Sequence, residues 1–209
     1  MEQKDTIKGR SKHRTLFGRL LTLVSLVCIG GGIYLLILLS APQMQKVIPP
    51  KNWTTPVPTE RAALTEDRLY IPKLKINITY KAGDKHVLND NAWWRSPERG
   101  NPKDGGNFIL AAHRFELGLT PGETRYKSPF YNLDELMMGD KLYADYNGVR
   151  YEYKVVNRYK VAPNDTKIEQ VTNEDHMTLY SCTKRGSADG REVVIAEQTA
   201  ANIDPAKQL

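Results

Sequence analysis

Cysteine is almost absent. Cys28 and Cys182 are the two in 209 residues, and they cannot form a disulfide framework, because Cys28 lies inside a continuous apolar segment. The four histidines fall in no Cys/His cluster with zinc-like spacing, which excludes a structural zinc module. No basic stripe is interleaved with aromatic residues, so nothing points to nucleic acid as a partner. Internal repeats are absent as well. What these absences leave is a solitary thiol, Cys182. It ends the apolar run His176-Met177-Thr178-Leu179-Tyr180-Ser181-Cys182, nine residues before Arg191 opens a second run, Arg191-Glu192-Val193-Val194-Ile195-Ala196.

The net charge of +6 is concentrated at one end. Residues 1–19 hold six Lys and Arg against Glu2 and Asp5, leaving two of the six net charges for the other 190 residues. The sequence pI near 9.2 is therefore a property of the N-terminus. Leu20 to Leu39 contains no charged residue. A helix of that length spans about 30 Å, the thickness of a bilayer core. Six positive charges precede it, so the positive-inside rule leaves residues 1–19 as a cytoplasmic basic tail, makes 20–39 a single-pass signal anchor in the cell membrane, and puts the rest outside. The competing reading is a cleaved signal peptide. Its apolar core would exceed the usual ~7–15 residues, and Pro42 follows the one small-residue site near Ser40-Ala41.

Pro42, Pro49, Pro50, Pro56 and Pro58 oppose helix and favour extended chain. Residues 40–60 accordingly read as a stalk, 61–201 as one folded domain and 202–209 as a C-terminal tail. Within the domain the signals are mostly strands: 69–72, 75–80, 107–112, 141–146 and 149–156, then the Cys182 and Arg191 runs. Asn147-Gly148 between two of them is a strong hairpin signal. Short helices are expected around Ala82 to Trp94 and around Tyr131 to Met137. Seven strands in about 140 residues imply a closed or nearly closed β-barrel.

A cysteine nucleophile needs a group that stabilises the thiolate, a proton carrier and a donor for the developing oxyanion. His13 is excluded by topology. His176 shares a strand with Cys182 and would lie about 20 Å away along it. His86 sits in the polar stretch Asp84-Lys85-His86 and reads as surface. His113 ends the buried strand before it and is the best candidate, against the plain alternative of a histidine capping a strand. Arg191, on a strand, competes with Arg185, in a Lys184-to-Gly190 stretch that reads as a hairpin loop. A buried, inert Cys182 is the plain alternative for the thiol itself.

These residues resemble the sortase family. Thr178-Leu179-Tyr180-Ser181-Cys182 with a strand-opening Arg191 is similar to the family's Thr-Leu-x-Thr-Cys…Arg pattern. Asn107 to Arg114 resembles its histidine strand, Ser128-Pro129-Phe130-Tyr131-Asn132-Leu133-Asp134 with Gly139-Asp140 its connecting segment, and Leu69 to Leu74 its first strand. The resemblance covers about residues 66–199. It implies a mainly β fold, an eight-stranded sortase-type barrel with short helices preceded by one transmembrane helix. It further implies a cysteine transpeptidase, with Cys182 as nucleophile, His113 as general acid and base, and Arg191 binding the sorting-signal backbone or the oxyanion. Ser181, where the family has Thr, is a candidate substrate contact. The implied partners are secreted proteins bearing a Leu-Pro-x-Thr-Gly-like (LPxTG-like) signal, a peptidoglycan precursor or other amine acceptor, and the membrane. No cofactor and no required metal are expected. Ala111-Ala112-His113 departs from the commoner Ala-Gly-His, and Phe115 to Lys127 is a longer insertion, expected to act as a flap over the site. No second hydrophobic span follows the domain, unlike the pilus-building class that often carries one. An exported cysteine hydrolase and a non-enzymatic binding barrel are the rival readings.

Overall fold

The computed structural model describes residues 5–46, 65–172 and 174–201. Most of the expected stalk and the expected C-terminal tail lie outside the described residues, as does position 61, the expected start of the domain. Helix α1, Asp5–Ser40, is continuous. Its apolar part, Phe17–Ser40, is 24 residues of mean hydropathy 2.4 with none of its most apolar window buried, which is long and apolar enough to cross a membrane. The first residues of the expected stalk lie against the domain: Ala41 and Pro42 are buried, and Gln43–Lys46 form one 3-10 turn.

Nine strands follow: β1 Arg68–Ile71, β2 Ile76–Ala82, β3 Ala92–Arg95, β4 Gly100–Asn101, β5 Gly105–Ala111, β6 Lys141–Tyr146, β7 Val149–Val161, β8 His176–Thr183 and β9 Gly186–Ala201. Their order is β3-β2-β1-β6-β7-β9-β8-β5-β4, and β3 also pairs with β5. That extra ladder closes eight strands into a barrel, with the two-residue β4 hung on β5. The architecture is the mainly β, eight-stranded barrel with short helices that the family resemblance implies, with one apolar N-terminal helix.

Local chemistry sets the corners. Asn147 and Gly148 take φ of 50° and 74°, the geometry of a tight turn that matches strand twist, so Tyr146 pairs with Val149. Pro72 stops β1 and starts a 3-10 turn, and left-handed Lys75 returns the chain so that Ile71 pairs with Ile76. A Cβ on Gly106 would meet the Arg99 carbonyl oxygen at 2.5 Å, so β5 can start beside β4 only with glycine there. Leu69, Ile76, Tyr80, Phe108, Leu110, Tyr153, Met177, Leu179 and Val194 fill the barrel. Arg150 and Asp145, both buried, pair across the β6–β7 ladder at 2.7 Å. Two buried charges are tolerable only when paired and hydrogen-bonded in this way.

Two expected helices need correction. The stretch from Ala82 to Trp94 is a 3-10 turn, Lys85–Asn89, followed by strand β3. Asp84 caps the turn by accepting the His86 amide at 2.9 Å. Beyond it, pairing with β2 on one side and β5 on the other wins the tryptophans for the sheet. Only Leu133–Glu135 of the second expected helix is helical, again as a 3-10 turn. Helix α2, Pro121–Tyr126, lies inside the 115–127 insertion and is additional. Thr120 accepts the Glu123 amide at 3.1 Å, and Glu123 reaches back to the Leu119 amide at 2.9 Å, close to the reciprocal cap that a Thr-x-x-Glu start provides.

Candidate active site

Strands β5 and β8 run parallel, with Ala111 opposite Tyr180 and the Ala112 amide donating to the Tyr180 carbonyl. His113 and Cys182 each lie two residues further on. They therefore leave the barrel at the same level, one strand spacing (about 4.8 Å) apart. Strand alternation assigns their faces. Phe108, Leu110 and Ala112 on β5, and Met177 and Leu179 on β8, belong to the core. Their odd-even partners Ala111, His113, Tyr180 and Cys182 fall on the outer face. Phe130 donates its amide to the His113 carbonyl at 3.1 Å, which fixes the backbone just after β5. Cys182 is a free, partly exposed thiol.

Arg191 is paired with Cys182 in the β8–β9 ladder, and residues so paired share a face. The strand does not begin at Arg191 as the sequence suggests. Thr183 pairs with Gly186, the register then breaks, and Cys182 pairs with Arg191, leaving 187–190 as an excursion. The guanidinium donates through Nη1 to the Ser187 carbonyl at 2.8 Å and the Gly190 carbonyl at 3.0 Å. Arg185, the competitor, has an 85% exposed side chain in the turn. Ser181 is buried, its hydroxyl donates to the Cys182 carbonyl, and its side chain lies on the face of β8 opposite the thiol. His176 stands at the far end of β8. Burial pushes its pKa down, against the pull of the Glu174 carbonyl. His86 is exposed on its turn.

Two cavities meet at the Cys182–His113 pair. The first, about 360 Å³, runs along the outer face of β5 and β8 and is lined by Ala111, Ala112, Tyr180, Arg191, Trp93 and Ile168. The crossover from β7 to β8, with its 3-10 turn Thr166–Glu169, forms its far wall. The second, about 610 Å³, is lined by Arg114, Phe115, Glu116, Tyr131 and Lys184, and by Leu39 from the end of α1. Phe115 and Glu116 are thus the part of the insertion that borders the site, while α2 packs against α1.

Carboxylates that the sequence did not reveal brace both cavities. Asp134 accepts from Arg114 Nη2, one residue past His113, and from Lys184 Nζ at 2.8 Å, two residues past Cys182. One carboxylate so ties the ends of both reactive strands together. Burial pushes its pKa up, but the Lys184 hydrogen bond and the Arg114 charge outweigh that and hold it below the ordinary value. Glu169 accepts from Arg95 Nε at 3.0 Å and Nη2 at 2.9 Å, and from the Tyr180 hydroxyl at 2.5 Å. Burial again opposes, and the Arg95 and Tyr180 bonds win, so Glu169 stays ionised to lower pH. Arg99 donates to the Glu169 carbonyl, and Arg95 stacks on Trp93 at 4.1 Å. The far wall of the first cavity is thereby pinned to β3 and β8. Among the described residues no group of three or more His, Cys, Asp or Glu is placed to hold a metal ion.

Three neighbouring strands of a closed barrel thus bring a thiol, an imidazole and a guanidinium to one face, the kinds of group that nucleophilic acyl transfer can use. The comparisons with known proteins make this particular. The sortase domain model matches residues 69–199, and the chain belongs to the sortase family, as a sortase-type transpeptidase. Among solved structures, sortase A from Listeria monocytogenes is similar at 19% identity and TM-score 0.55, over 65% of this chain and 88% of that one. Sortase C-3 from Streptococcus pneumoniae is 28% identical with TM-score 0.55, over 66% of this chain and 64% of that one. Sortase A from Corynebacterium diphtheriae is 22% identical with TM-score 0.55, over 65% of this chain and 60% of that one. Similarity to A-type and C-type structures alike leaves the subclass open. Among curated proteins none matches the chain.

Proposed function

We propose that the protein is an outward-facing, membrane-anchored cysteine transpeptidase that cleaves an LPxTG-like sorting signal and transfers the acyl group to a cell-wall amine. The observation that carries this reading is the placement of Cys182 and His113 at one level on adjacent parallel strands, with Arg191 directly across the ladder from the thiol. The Cys182 sulfur attacks the Thr carbonyl of the signal, and Arg191 bears on the oxyanion that develops there. His113 gives its proton to the leaving Gly amine as the peptide bond breaks. The thioacyl enzyme that results is attacked by an incoming amine. His113 takes the proton from that amine, the C–S bond breaks and the thiolate returns. Two cavities meeting at the thiol suit this order, one for the signal and one for the acceptor. The first, with Trp93, Ala112 and Ile168 along an extended groove, fits an apolar peptide backbone in β conformation.

The test is a peptide-library cleavage assay on the full chain, with competing amines present. A transpeptidase yields amine-capped products at the expense of hydrolysis, and Cys182→Ala abolishes both while leaving the barrel folded. Products that are hydrolytic at every amine concentration would select the hydrolase reading instead. Activity in Cys182→Ala within a few-fold of wild type would refute the mechanism.

A further inference from the structure

The apolar side chains of the 115–127 insertion face solvent beside α1. Phe115 and Leu117 are partly exposed and Leu119 is 82% exposed, an unusual cost for an ordered segment of a water-facing domain. The contact with α1 sets their depth. Tyr34 donates its hydroxyl to the Leu119 carbonyl at 2.6 Å, and Tyr34 lies six residues, about 9 Å of helix rise, before Ser40 at the end of the apolar span. Helix side chains lean toward the N-terminus, so that hydroxyl is no closer to the end of the span than its own Cα. The 24-residue span is about 36 Å long against a hydrocarbon core of roughly 30 Å. Even with all the excess placed on this side, Tyr34 and Leu119 sit below the hydrocarbon edge.

Part of the backbone of the insertion is satisfied internally. The Glu116 amide donates to Ser128 Oγ, the Gly118 amide to Thr124 Oγ1, and the Leu119 amide to Glu123 Oε2. Leu119's carbonyl is taken by Tyr34. Bonds of this kind lower the cost of bringing the loop to the bilayer edge, where backbone groups lose water. Glu116, the one charged residue within Phe115–Leu119, is exposed and borders the second cavity, so its carboxylate belongs at the headgroup level and the apolar side chains around it carry the insertion. On these grounds we propose that Phe115–Leu119 is a membrane-inserting wedge, whose partner is the outer half of the lipid bilayer around α1. The wedge and α1 form one continuous lipid-facing surface, and the second cavity, walled by Leu39 and Phe115, opens at the level of the lipid headgroups. This rests on α1 spanning a membrane.

The experiment uses the full chain with both native thiols removed, Cys28→Ser and Cys182→Ala, and a single new cysteine carrying an environment-sensitive fluorophore. The chain is placed in phosphatidylcholine vesicles with or without a lipid bearing a nitroxide high on its acyl chain. The label is put at Leu119→Cys, at Ile29→Cys within the span, or at Val171→Cys, an exposed site in the β7–β8 crossover. A blue-shifted emission at 119 that the nitroxide lipid quenches, with neither effect at 171, supports the wedge. Water-like emission at 119 with blue-shifted emission at 29 overturns the wedge and leaves the anchor standing. A blue shift at 119 that the nitroxide does not quench also overturns it, because protein rather than lipid then covers the loop. Water-like emission at 29 overturns anchor and wedge together.

Discussion

Arg191 is paired with Cys182 across the β8–β9 ladder, yet its guanidinium is held by the carbonyls of Ser187 and Gly190. The excursion of 187–190 thus serves as a cradle that fixes the arginine on the face carrying the thiol. Arg185 is 85% exposed and held only by a long ion pair to Asp189 at 3.9 Å. Arg191→Ala is expected to lower kcat/KM for a sorting-signal peptide by roughly 10²–10³-fold, the scale of a lost oxyanion donor. Arg185→Ala is expected to stay within a few-fold of wild type. Steady-state kinetics on both variants decides the assignment, and the reverse order would move the role to Arg185.

Two histidines give opposite expectations. His113 shares both cavities with Cys182, whereas His176 sits six residues down the same strand as the thiol, at its far end. His113→Ala is expected to lower turnover by roughly 10²–10⁴-fold, as for loss of a positioned acid and base. His176→Gln should leave turnover intact. Burial keeps His176 neutral below its ordinary value of 6.5. The unfolded chain therefore binds the extra proton first, and wild-type stability falls as pH drops below that value. Melting curves between neutral and mildly acidic pH should show a smaller acid loss in His176→Gln.

The gathering of His113, Cys182 and Arg191 on one face was legible because it depends on strand pairing. Apolar runs mark the strands, strand length removes His176, and the spacing from Cys182 to Arg191 brings the chain back beside itself. The braces were not legible. Asp134 is 20 residues from Arg114, and Glu169 is 74 residues from Arg95, so only tertiary packing brings either pair together. Strand β3 escaped because its four residues, Ala92 to Arg95, are too few to show alternation, and their strand state comes from neighbours on both sides. Helix α2 did carry a signal, Thr120-Pro121-Gly122-Glu123, a capping residue with Pro at the first helical position and Glu at the third.

Asp134 is expected to matter to stability and to rate. Arg114 is only 3% exposed. Its Nε and Nη1 have no hydrogen-bond partner among the described residues, which leaves the bond from Nη2 to Asp134 as its compensation. Asp134→Ala strands a buried cation and should destabilise the fold by about 2–4 kcal/mol. Asp134→Asn, which keeps an acceptor for Arg114, should cost less. The pKa of Asp134 is held below its ordinary 3.8. Its contribution is therefore complete above that value and is lost as pH falls through the depressed folded one. Thermal melts of wild type and Asp134→Asn should converge on acidification below about pH 4, and parallel curves would refute the assignment.

Glu169 separates binding from chemistry. It touches neither thiol nor imidazole, but through Arg95, Tyr180 and the Arg99 bond to its carbonyl it holds the 3-10 turn that walls the first cavity. A wall fixed before substrate arrives spares the peptide the entropy of ordering it. Glu169→Gln keeps the shape, removes the charge and weakens the grip on Arg95. The expected result is a rise in KM of roughly tenfold, the size of one hydrogen bond to a charged group, with kcat changed little. A Tyr180→Phe variant should move in the same direction by a smaller amount, because it removes one bond and leaves the Arg95 pair. Equal losses in kcat and kcat/KM would instead mean that Glu169 acts in the transition state, and the wall would no longer explain it.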